Sequence, residues 1–185
     1  MCTKRTLMRV LELPYLRKGR IWLNELPDAS YSSDSVVTHT MPADVRLRPT
    51  FSMAAVELRA PAGARSLYGL LGGVYDFDSS GTLTIEIGLS DSDQRKFIGF
   101  DDGVDDIRVG LPSEYSSGVV EGIRRTQNRL MDVSGGRLRI TCAAHGAIGS
   151  SPSTFESLAS TLLAIFHLPD RELSDENLRT AFAQQ

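Results

Sequence analysis

The stretch His145-Gly-Ala-Ile-Gly-Ser-Ser151, which runs into a helical pattern, holds the residue types with the clearest chemical use in this chain of 185 residues. Gly146 and Gly149 let the main chain turn and come close to a ligand. The free N–H groups of a first helical turn, with Ser150, Ser151 and His145 beside them, suit a phosphate or a carboxylate. The same residues also read as a strand-to-helix loop whose serines only cap the helix. Both readings stay open at this level.

Other acidic and histidine constellations offer less. Asp76-Phe-Asp-Ser-Ser-Gly81 copies the start of a calcium loop, but the twelfth position, where a bidentate Glu is required, is Ile87. It reads as a turn between strands. Asp101, Asp102, Asp105 and Asp106 have no His or Cys near them, and Asp-Asp-Gly is turn chemistry. His39, His145 and His167 lack metal-ligand spacing, and neither a G-x-S-x-G nucleophile setting nor a P-loop occurs. No catalytic residue, metal or cofactor is expected.

Basic residues form a second kind of candidate. Arg124, Arg125, Arg129, Arg137 and Arg139 stand against Glu121 and Asp132 over residues 121–139, a local 5 − 2 = +3. The planar donor fork of Arg matches phosphate, so these five are the candidate RNA-binding set. Residues 1–20 carry 6 − 1 = +5 and residues 76–106 carry 2 − 9 = −7, while the whole chain is −3. That balance excludes binding to nucleic acid by overall charge and leaves room only for a local patch.

Hydrophobic residues at 41% and charged residues at 23% describe an ordinary globular chain. Cys2 and Cys142 make no disulfide framework. Near the N-terminus Arg9, Glu12 and Pro14 interrupt the apolar run that a secretory signal needs. No stretch approaches the roughly 20 apolar residues of a membrane span. A soluble cytoplasmic protein without a membrane partner is expected.

The elements that position these residues follow from periodicity. "DVRLRPTF" (44–51) and "MAAVELRAP" (53–61) read as strands and "PDASYSSDS" as a loop; "APAGAR" (60–65) is the candidate boundary after an N-terminal arm. "GGVYDFD" and "GTLTIEIGLS" alternate around "DSSG" as a hairpin. "RKFIGF" and "DDIRVG" are short strand candidates. Pro112 opens a helix whose buried stripe is Val119, Ile123, Thr126 and Leu130. "SGG" (134–136) breaks it, and "RLRITCAA" is a strand. A second helix has Ser151 as N-cap, Pro152 as first residue, and an apolar face of Phe155, Leu158, Ala159, Leu162, Leu163 and Phe166, ending at Pro169. Ser174 caps a last helix with Leu178, Ala181 and Phe182. The division is residues 1–65 as a β-rich arm, 66–169 as an α+β sandwich with helices on one sheet face, and 170–185 as a C-terminal helix.

"GLPSEYSSGVVEGIRR" (110–125), followed by a strand and by "GSSPSTF" opening a helix, resembles domain IV of translation elongation factor G, without its GTPase domain. Gly110, Pro112, Glu114, Tyr115, Glu121, Gly122 and Ile123 match that family's first-helix motif, one residue shorter before the Pro. Ser150, Ser151 and Phe155 match the opening of its second helix, with Gly149 in place of Asp. The resemblance spans about residues 66–168 and implies a ribosomal protein S5 domain 2-like two-layer sandwich, with an antiparallel-rich sheet. In that fold the first helix crosses closely over the sheet, which would make Gly122 a packing position. "GAIGSSPST" also looks like the phosphate loop of galactokinase- and mevalonate-type kinases. One function is thus expected first, and two stand as alternatives to it. The first is a non-catalytic binding module associated with the ribosome or RNA through the five arginines. The second is a nucleotide-phosphate or small-anion binder at His145, Gly146, Gly149, Ser150 and Ser151. The third is a protein-interaction scaffold or homo-oligomer whose N-terminal arm adds strands to a partner.

Overall fold

Alternating apolar residues dominate the first half of the chain, and they build strands. The structure, a computed structural model, describes residues 7–93, 95–100, 105–130 and 133–183. Its elements are β1 (Leu7–Leu13), β2 (Arg17–Leu23), β3 (Ser35–Pro42), β4 (Met53–Ala62), β5 (Arg65–Phe77), β6 (Thr82–Leu89), β7 (Ile107–Val109), α1 (Ser116–Leu130), β8 (Gly136–Gly146), α2 (Pro152–His167) and α3 (Asp175–Ala183). Seven strands lie side by side in the order β1-β2-β4-β5-β8-β6-β3, and β7 pairs with β8 off this path. The β6–β8 pair is parallel and the other strand pairs are antiparallel, so the sheet is mixed, open and mostly antiparallel.

The expected hairpin around Asp78–Gly81 does not form, because β8 runs between β5 and β6. The turn passes over the entry of β8, where the Asp78 N–H donates to Gly135 O at 3.4 Å. Entry depends on glycine: Gly136 has φ 124°, and a Cβ there would stand 2.2 Å from Asp76 O. "APAGAR" is the tip of the β4–β5 hairpin, so residues 7–62 and 65–146 share one sheet. "DVRLRPTF" is a turn rather than a strand. The Asp44 carboxylate accepts the Arg46 N–H at 2.8 Å, and this local bond outcompetes the alternation. "RKFIGF" makes only a short bridge to β7: Phe97 N donates to Ile107 O at 3.0 Å and Val109 N to Arg95 O at 2.9 Å, with Lys96 opposite Arg108. The "PDASYSSDS" loop is present, and its Ser30 bridges to Cys142.

All three helices pack on one face of the sheet. Ser151 Oγ accepts the Thr154 N–H, capping α2 as its sequence predicts, and the six apolar residues of its expected face are buried. Val119, Ile123 and Thr126 of α1 are buried as expected; the side chain of Leu130 lies outside the described residues. Gly122 is a close-packing position, though its neighbour is α2 and not the sheet. A Cβ on Gly122 would meet Glu156 O at 2.1 Å, and one on Gly118 would meet Pro152 O at 2.1 Å. Two glycines one helical turn apart bring the backbone of α1 against that of α2. On the opposite face Trp22, Tyr68, Leu70, Ile107 and Cys142 form a smaller apolar cluster, against which Leu26 and Phe97 pack.

Candidate functional site

The Gly-Ser loop is positioned by the end of β8 and the start of α2, and its polar groups are engaged within the chain. The N–H groups of Ile148 and Gly149 point at one carboxylate, that of Asp105: Ile148 N donates to Oδ1 at 3.1 Å and Gly149 N to Oδ2 at 2.8 Å. Ser150 Oγ accepts from Gly146 N at 2.9 Å and donates to Tyr68 O at 2.7 Å. Ser151 is the N-cap. The loop amides that a ligand would need are bonded to the Asp105 side chain of the same chain. His145 points elsewhere, its Nδ1 lying 3.1 Å from Gly110 O, and burial holds its imidazole below the ordinary histidine pKa. Tyr115 stacks on Phe155 with centroids 4.9 Å apart, and burial first, then Glu114, pushes its phenol up to about 12.

The five arginines do not share a surface. Leu138 and Ile140 face the helix-side core, so by strand alternation Arg137 and Arg139 point from the opposite face. There they pair with Glu86 at 3.4 Å and Asp76 at 2.5 Å. Arg124, Arg125 and Arg129 are on α1, on the helix side of the sheet. Arg124 bonds Glu121 at 2.7 Å, and Arg125 pairs with Glu156 of α2. The local charge excess in the sequence is divided between two faces in the fold.

Of the four clustered aspartates, Asp101 and Asp102 lie outside the described residues. Asp105 fills the Gly-Ser loop, and Asp106 pairs with Arg108 at 2.7 Å and Lys96 at 3.3 Å. No group of three or more His, Cys, Asp or Glu side chains that could hold a metal occurs among the described residues. A polar cleft of about 650 Å³ lined by Asp34, Ser90, Ser92, Asp93 and Arg95 has its charges satisfied internally. Asp93 pairs with Arg95 at 2.7 Å, and Asp34 accepts from Ser92 Oγ.

Two buried polar clusters escape a reading of the sequence because their members are far apart in it. His167 Nε2 lies 2.9 Å from both the Ser134 N–H and Ser134 Oγ, its Nδ1 is 2.9 Å from Leu163 O, and Tyr75 OH donates to Ser134 O at 2.6 Å. A Ser–His pair at this distance has the spacing of a nucleophile and its base. Ser134 is 0% exposed, so no substrate reaches it, and the cluster ties the end of α2 to the start of β8. On the other face Glu57 is also 0% exposed. Its Oε1 accepts from Tyr68 OH at 2.8 Å and Phe100 N at 3.1 Å, and Arg20 Nε is 3.3 Å from Oε2. The Arg20 guanidinium lies over the Phe100 ring at 4.3 Å. Burial raises the Glu57 carboxyl above the usual glutamate value, against the opposing pull of Arg20.

The remaining distinctive feature is β3. This strand, Ser-Val-Val-Thr-His-Thr-Met-Pro, has no Asp, Glu, Lys or Arg. It pairs with β6 over eight consecutive residues without a register shift, and among the described residues no strand pairs with its outer side. The opposite edge is different. In β1, Arg9 bonds Asp175 at 2.9 Å and Leu173 O at 3.1 Å, and Arg179 of α3 donates to Glu12 O at 3.1 Å. One edge is charged and bound to α3; the other is long, uncharged and without a bulge, touched at its end by α1, whose Gln127 Nε2 donates to Pro42 O at 3.1 Å. No helix among the described residues is long and apolar enough to cross a membrane. Comparison with protein families, with curated proteins and with solved structures gives no match for this chain.

Proposed function

We propose that the protein is a non-catalytic interaction module that pairs strand to strand through β3, and that its first partner is a second copy of itself. The observation that carries this reading is the uncharged eight-residue edge. Natural sheets blunt their edges with charge, bulges or covering elements, and an edge left flat invites another strand. β3 has no charge and no bulge, and its blunting is confined to its end, where Gln127 of α1 donates to Pro42 O at 3.1 Å; β1 is charged and bound by α3. An antiparallel β3–β3 pair about a two-fold axis brings no like charges together. Register through Thr38 sets Thr38 opposite its own copy, a cross-strand pair that contributes favourably. The exposed side chains Val36, at 56%, and Thr38 lie on the helix-free face, where such a pair would cover them.

The RNA reading asks for five arginines on one surface, and their division between two faces gives it less support than the edge gives to strand addition. The anion reading asks for free amides in the Gly-Ser loop, where Asp105 is bound. Light scattering of the full chain over a concentration series tests the proposal. A mass twice that of the monomer is expected, falling to the monomer mass in Val36→Lys/Thr38→Lys with unchanged thermal stability. Monomer at every concentration, together with salt-sensitive sedimentation on RNA, would replace strand addition with the RNA reading.

A further inference from the structure

The turn between β1 and β2 is built against its own backbone preference. Residues Pro14–Arg17 close on a 3.4 Å bond from Arg17 N to Pro14 O, and both central residues are left-handed, Tyr15 at φ 61° and Leu16 at φ 60°. A hairpin turn of this geometry ordinarily takes Asn-Gly, because the left-handed region is unfavourable for bulky L-residues. Nothing inside the fold compensates here. Tyr15 is 90% and Leu16 82% exposed, and neither belongs to an apolar cluster. Strained, exposed and apolar residues at a protruding tip point to contact with something outside the chain.

The surroundings of the tip are basic. Arg17 and Lys18 follow directly, Lys18 is paired across the sheet with Arg59, and the neighbouring β4–β5 tip ends in Arg65. Against Glu12 these sum to 4 − 1 = +3, at one end of a chain whose net charge is −3. Farther along the same end of the sheet Asp105 and the Gly-Ser loop begin, which bounds the basic footprint.

We infer that this end of the sheet docks on an anionic lipid surface. Tyr15 and Leu16 enter the boundary between headgroups and acyl chains, and Arg17, Lys18, Arg59 and Arg65 meet the lipid anions. A convex apolar pair needs no shaped pocket in a bilayer, an aromatic ring at headgroup depth is favourable, and basic residues beside it add electrostatic attraction. Single-stranded RNA would use Tyr15 for stacking and leave Leu16 without a role. The expectation of no membrane partner rested on the lack of a spanning segment, and a docking tip requires none. The inference does not depend on β3.

The test is sedimentation of the full chain with phosphatidylcholine vesicles, with and without phosphatidylserine, across a salt series. Binding should be about tenfold or more stronger with the anionic lipid and weaken with salt. Tyr15→Asn/Leu16→Gly should lose that binding by about tenfold while melting at a higher temperature, since Asn-Gly relieves the turn. A Tyr15→Trp variant should shift its emission to the blue on adding anionic vesicles. No binding at low salt, binding unchanged in the double variant, or a tip-dependent association with RNA or a protein instead would each overturn the inference.

Discussion

At the scale of single residues, the fold tolerates local cost where the environment is specific. Placing Tyr15 and Leu16 in the left-handed region costs roughly 1–2 kcal/mol per residue. Tyr15→Asn/Leu16→Gly is therefore expected to raise the free energy of unfolding by about 1–2 kcal/mol in chemical denaturation, part of the strain being offset by the added freedom of unfolded Gly. The buried titratable residues set the response to acid. His145 and His167 are held by burial below the ordinary value of 6.5, so below that pH the unfolded chain takes up protons first. Their stabilising contribution is complete above 6.5 and is lost as pH falls through the native values. Glu57 acts in the opposite direction. Its native value is raised above 4.5, so the folded chain takes up that proton first and regains stability as pH falls. The melting temperature should drop as pH falls below 6.5, and Glu57→Gln should steepen the drop as pH falls toward 4.5. An unchanged or shallower profile in the variant would show that Glu57 does not titrate as its burial implies.

At the scale of elements, α1 and α2 meet backbone to backbone. A glycine inside a helix costs about 1 kcal/mol against alanine, so on propensity alone Gly122→Ala would stabilise α1. The contact reverses the sign. The new methyl would meet a main-chain oxygen, Glu156 O, which cannot rotate away, and the helices would have to separate. A destabilisation of about 1–3 kcal/mol is expected in thermal or denaturant unfolding. A stabilised variant would mean that α1 does not lie against α2 as described. The ends and faces of α2 could be read from Ser151, Pro152 and the apolar spacing from Phe155 to Phe166, because capping and amphipathicity are local. Strand identity was legible for residues 53–61 for the same reason. The neighbours of β5 and β6 were not, since β8 enters between them from more than 40 residues away, through a gap that Gly73, Gly135 and Gly136 keep passable. The Ser134–His167–Tyr75 and Glu57–Arg20–Tyr68 clusters join distant segments, so no spacing in the sequence announces them. For the Gly-Ser loop the sequence left two readings open, and the group its amides bond, Asp105, lies 43 residues from Ile148.

At the scale of the whole molecule, the two sheet edges are unequal. The β1 edge is bound to α3 by Arg9 and Arg179, and the β3 edge carries no charge and no bulge. Charge counting along the chain could not reveal this, because the five candidate arginines form a run in sequence and are separated by the sheet in space. Edge strands become visible only when strand order is known. Pairing of β3 with β3 of a second copy is read out by amide hydrogen exchange at two protein concentrations, with β3 and β1 resolved separately. Pairing predicts that the outward amides of β3 exchange more slowly as concentration rises, that β1 is unaffected, and that Val36→Lys/Thr38→Lys abolishes the difference. Exchange in β3 that is fast and independent of concentration would contradict it.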